Sequence, residues 1–188
     1  ARQHLGHGLD DRAGQGGGRG GTCLARRQQQ DRHAADDGDL DAAADAAAWG
    51  GVANGGQTCV GVERVYVVES VYDEFLEILQ AKLDGVRPGA DSDAAYGPIT
   101  MPSQVAVIRR HVEGALERGA RPLVGGADSV GERFIEPIVL TEVPEDCPAV
   151  AEETFGPAIV VNRVRDADEA VDRANAPAYG LGGAVFAK

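Results

Sequence analysis

No apolar run in these 188 residues approaches the ~20 needed to cross a bilayer. The opening text, "ARQHLGHGLDDR", lacks the apolar core and layout of a signal peptide. Positive charge is in deficit: 18 Lys and Arg face 30 Asp and Glu, a formal net charge of −12. That balance argues against general binding to nucleic acid or anionic membranes, whose surfaces are themselves negative. Cysteine is sparse. Cys23, Cys59 and Cys147 are odd in number and irregularly spaced, so they suggest neither a disulfide framework nor a zinc site. A reduced, cytoplasmic setting and no metal are expected. The length suits one domain with a real core.

Residues 1–35 lack almost all β-branched and aromatic side chains and show no period of 2 or 3.6. They read as a low-complexity or disordered segment, unable to bury enough apolar area to offset their ordering entropy. The Gly-rich run Gly14 to Gly21 has no preceding strand and no following helical pattern, so it fails as a phosphate loop. His4 and His7 have no helix to align them as metal ligands.

From residue 36 to 188 the text is that of an α/β protein. "DDGDLDAAADAAAWGG" predicts an Ala-rich helix capped by its early Asp residues and ended by Gly50 and Gly51. "RVYVVES" predicts a strand. Tyr72, Phe75, Leu76, Leu79 and Leu83 mark one face of a helix that Ser70 can cap. Val105, Ile108, Val112, Ala115 and Leu116 mark another, stopped by Gly119. "RPLVGG", "FIEPIVLTEV", "AIVVNRV" and "GLGGAVFA" are strand candidates, with a helix begun at Asp166 between the last two. The expected fold is a sheet with covering helices.

"NGGQTCVGVERVYVV" raises one chemical question: whether Cys59 is a core residue or a nucleophile. A lone cysteine is more often a small hydrophobe. Here Gly55 and Gly56 open unusual backbone paths and leave room for a substrate, and Gln57 and Thr58 make the setting polar. Backbone N–H groups in such a turn can hold an oxyanion. Cys147 lies in the acidic "PEDCPAV", which would raise a thiol pKa, and Cys23 lies in the structureless segment.

Two motifs carry a resemblance. Asn54 to Val67 resembles the active-site segment of the aldehyde dehydrogenase superfamily, Gly-Gln-x-Cys followed by a spacer and Arg. "EETFGPAIVV", about ninety residues on, resembles that family's Glu-x-Phe-Gly-Pro cofactor motif. "YGPITMPSQ", "GERFIEPIVL" and "DADEAVDRANAPAYGLGGAVF" follow the family's text in its order. The resemblance implies NAD- or NADP-dependent oxidation of a small-molecule aldehyde to an acid, in a homo-oligomeric parent enzyme. Cys59 would be the nucleophile and its N–H an oxyanion donor. Glu153 would hold a cofactor ribose and Phe155 would pack near the nicotinamide. Without the motif, Glu153 reads as a solvated charge and Phe155 as a core aromatic.

The family's dinucleotide-binding domain, its oxyanion Asn and its general-base Glu in a Glu-Leu-Gly-Gly context are not visible, and no Glu precedes Glu63. The resemblance therefore implies an incomplete aldehyde dehydrogenase-like catalytic domain. The competing expectation is an inactive fragment that at most binds a ligand or a partner subunit. Arg26 to Ala34, read one nucleotide out of frame, permits Gly-Gly-Asn-Asn-Lys-Thr-Ala-Met, and Arg2 to His4 permits Gly-Ser-Thr. Both are similar to family text at about the family's spacing. Residues 1–33 thus read as frameshifted coding sequence, set against a genuine disordered tail.

Overall fold

The computed structural model describes residues 22–25 and 38–186. Their elements, in chain order, are β1 (Thr22–Ala25), α1 (Gly38–Val52), β2 (Arg64–Val68), α2 (Tyr72–Leu83), α3 (Pro102–Glu117), β3 (Arg121–Val124), β4 (Ile138–Thr141), α4 (Pro148–Ala151), β5 (Ala158–Val164), α5 (Ala167–Asn175) and β6 (Gly183–Phe186). The six strands form one sheet in the order β3-β4-β5-β2-β1-β6. Only the β3–β4 pair is antiparallel; the other four pairs are parallel. This is the expected α/β sheet with covering helices.

Parallel strands need both faces covered, so their sequences run apolar without alternation. β2 obeys this, with all five of its residues buried. Val65 and Val67 point to the side of α1 and α2, where they join Ile159 and Val161 of β5. The Ala-rich face of α1 lets that helix lie close, and Ala43, Ala44 and Ala47 have no exposed area. On the opposite face, α3 and α4 pack Val105, Ile108, Val112 and Val150 over Ile138, Leu140 and Val160. Tyr66 and Val68 meet Ala170 of α5 there. Asp166 caps α5 as expected, its Oδ1 accepting from Glu169 N at 2.9 Å.

Three expectations are corrected. Ser70 does not cap α2: residues 69–71 form a 3-10 turn and the capping position falls on Val71. Gly50 and Gly51 do not end α1, which runs through them to Val52. Their role is close packing, since a methyl on Gly51 would sit 2.3 Å from Ile159 Cδ1 and one on Gly50 2.6 Å from Val62 Cγ2. The chain leaves the helical path at Asn54 and Gly55, both at positive φ. Finally, Thr22–Ala25 forms a strand between β2 and β6 inside the segment that shows no periodicity. Four residues paired on both edges are too few to show a period. The helix-capping Asp residues, His4, His7, Gly14 to Gly21, the Cys23 side chain and the rest of residues 1–35 lie outside the described residues.

Candidate active site

The two motif loops meet because of strand pairing. β2 and β5 are parallel neighbours, with Arg64 opposite Val160. The segments entering them therefore arrive at the same edge of the sheet, and Val160 N donates to Glu63 O at 2.8 Å. The segment before β6, which carries Tyr179 and Leu181, reaches the same edge. Ligands of open parallel sheets usually gather at the carboxyl ends of the strands; this cleft sits at the amino ends. Its walls are Thr58, Cys59, Gly61, Glu63, Arg64, Glu152, Glu153, Tyr179 and Leu181.

Cys59 stands exposed on the turn ahead of β2. That turn is anchored from several sides. Gln57 Nε2 donates to Asn54 O at 2.8 Å, and Gln57 Oε1 accepts from Thr100 N at 2.8 Å. Asn54 Nδ2 donates to Gln57 O at 3.1 Å. Gly56 adopts φ +70, and a methyl on it would lie 2.1 Å from Gly156 O. The turn thus rests backbone to backbone on the Gly156–Pro157 step of the second motif, and only glycine fits there.

Glu153 is half-buried and lines the cleft with Cys59. Among the described residues its carboxylate makes no hydrogen bond. Phe155 is half-buried, takes φ +50, and is not among the cleft walls. Cys147 is fully buried in the cluster under α3, facing away from the acid of its loop.

Four residues of the site carried no functional reading in the sequence. Glu63 accepts hydrogen bonds from Thr154 N at 3.0 Å and Phe155 N at 2.6 Å. Burial pushes its carboxyl above the ordinary value and the Glu153 charge adds to this, against the pull of the two N–H groups and Arg64. Arg64 is buried beneath the cleft. His111, with no exposed area, pairs through Nδ1 with Thr154 Oγ1 at 3.0 Å and through Nε2 with Glu152 Oε2 at 3.3 Å. Burial pushes its pKa below the ordinary value, and the Glu152 hydrogen bond opposes that shift. Gln104 Nε2 donates to Thr154 O at 2.6 Å. The available signals were Glu63 inside the Cys-to-Arg spacer and a histidine on the apolar stripe of α3. Among the described residues no group of three or more His, Cys, Asp or Glu could hold a metal ion, and no helix is long and apolar enough to cross a membrane.

An exposed thiol and two partly buried carboxyls at the amino edge of a parallel sheet describe an α/β protein with the groups for nucleophilic chemistry. Comparison with known proteins places it. The sequence model of the aldehyde dehydrogenase family matches residues 33–188, and the chain belongs to that family. It is 43% identical over 152 residues to a succinate-semialdehyde dehydrogenase [NADP(+)] of Deinococcus radiodurans, covering 79% of this chain and 32% of that protein. It is 38% identical over 156 residues to a 3-sulfolactaldehyde dehydrogenase of Pseudomonas putida, covering 81% and 32%. Among solved structures, an NAD-dependent benzaldehyde dehydrogenase from Corynebacterium glutamicum superposes with TM-score 0.75 at 32% identity, covering 89% of this chain and 35% of that one. The chain spans about a third of the length of the curated relatives it matches.

Proposed function

We propose that the protein takes part in NAD- or NADP-dependent oxidation of an aldehyde to a carboxylic acid, with Cys59 as nucleophile. The observation that carries this reading is the exposed Cys59 thiol sharing one cleft with the Glu153 carboxylate. The Cys59 thiolate attacks the aldehyde carbon to form a C–S bond, and the backbone N–H of Cys59 donates to the resulting oxyanion. A bound nicotinamide supplies the acceptor for the hydride that leaves this carbon. The carbon is thereby oxidised to a Cys59 thioester, water then breaks the C–S bond, and the acid departs with the thiol restored.

Glu153 fits a cofactor ribose because its carboxylate has no protein donor among the described residues and faces the cleft. Phe155, two residues on in the same loop, would pack near the nicotinamide end of a bound cofactor. Relatives named for succinate and glutarate semialdehydes make short ω-semialdehydes the first substrates to try. The test is absorbance of reduced cofactor with an aldehyde panel and NAD+ or NADP+. Cys59→Ala is expected to lower turnover by about 10³-fold or more. Equal rates in both proteins would remove Cys59 from the mechanism.

A further inference from the structure

Thr154, between Glu153 and Phe155, is almost fully buried, and each of its polar groups is held by a different residue. Its N–H goes to Glu63 ahead of β2, while its carbonyl and its hydroxyl go to Gln104 and His111 on α3. Glu63 also holds the next N–H, that of Phe155, whose φ of +50 is uncommon for a residue with a side chain. An unusual backbone persists only where its surroundings over-determine it, and here four hydrogen bonds do so.

Both Glu63 oxygens are committed to these N–H groups. Protonating the carboxyl would weaken it as an acceptor for both. The two bonds make Glu63 an anchor for the loop. Its main-chain carbonyl adds a further tie by accepting from Val160 N. The residue four positions after Cys59 therefore sets the placement of the loop that carries Glu153.

We propose that Glu63, backed by Gln104 and His111, is the positioning residue that fixes the Glu153–Phe155 backbone and so aims the Glu153 carboxylate into the cleft it shares with Cys59. The consequence for cofactor affinity rests on the proposed function; the clamp itself does not.

The test uses Glu63→Gln in the full chain. This nearly isosteric change keeps one acceptor and sets an NH2 donor against an N–H donor. Amide exchange by NMR should accelerate about tenfold at Thr154 or Phe155, with β4 and β5 unchanged. KM for NAD(P)+ should rise about tenfold while kcat changes less than about threefold. Gln104→Met leaves the buried carboxylate in place and should shift the same KM in the same direction by about threefold. It carries the test should Glu63→Gln fail to fold.

Unchanged exchange at both amides overturns the clamp. Faster exchange with an unchanged cofactor KM overturns its positioning role. Wild-type protein without turnover defeats the proposed function instead, and the exchange rates then decide the clamp alone.

Discussion

Cys59 and Cys147 are the two cysteines whose side chains the structure describes, and they occupy opposite settings. Cys59 projects from a polar turn and lines a cleft with carboxylates on its far side. Cys147 follows Asp146 in an acidic stretch, yet Asp146 faces out to Arg118 while the Cys147 side chain sits in the core with Ile138, Leu140 and Val150. The sequence places charge beside Cys147; the fold takes it away. Charge near a residue in the chain predicts little about charge near it in space. What separates the two thiols is that Cys59 stands on an exposed turn at the edge of the sheet, while Cys147 is buried in the layer under α3.

Alkylation should sharpen this contrast most. In native protein treated with iodoacetamide, peptide mapping is expected to show Cys59 modified at least ~100-fold faster than Cys147, which reacts only when its surroundings open. Comparable rates would mean that the α3–α4 layer opens freely.

Gly56→Ala attacks the turn that presents Cys59. It combines φ +70 with a methyl against the Gly156 carbonyl, so a loss of about 3 kcal/mol in unfolding free energy is expected from urea titration. Cys147→Ser puts a hydroxyl into the buried apolar cluster under α3, at a cost of about 2 kcal/mol. The same change at exposed Cys59 should stay within ~0.5 kcal/mol.

His111 extends the comparison to a buried group that titrates. Burial lowers its folded pKa below the ordinary 6.5, so the unfolded chain takes up the proton first as pH falls. The stability present above pH 6.5 is therefore lost progressively below it. Glu152, Arg110 and Thr154 face the ring. This smallest effect should appear as a steeper fall in thermal midpoint between pH 7 and 5 for wild type than for His111→Gln.

Most of the elements after residue 36 were legible. The stripe Tyr72, Phe75, Leu79, Leu83 and the Asp166 cap are local signals, and local physics realises them. The junctions were less so. Gly50 and Gly51 look like a helix stop, but Gly51 packs against Ile159 of β5, more than a hundred positions away, and Gly50 against Val62 just ahead of β2. Ser70 has the chemistry of a cap without the geometry, because a 3-10 turn intervenes. The site was legible as two motifs. Their meeting depends on β2 and β5 becoming parallel neighbours, a long-range pairing that no window of sequence contains. For the same reason Glu63 carried no role in the sequence: its partners, Thr154 and Phe155, lie some ninety positions on.

The contact between Gly56 and Gly156 bears on how this protein can change over evolutionary time. A crowded pair of side chains can drift, because enlarging one is relieved by trimming the other. Here the obstacle to any side chain at Gly56 is the carbonyl of a residue that is already glycine. No partner substitution can relieve it. Variation around the thiol is therefore channelled to the opposite rim, where Tyr179 and Leu181 stand exposed on the segment before β6.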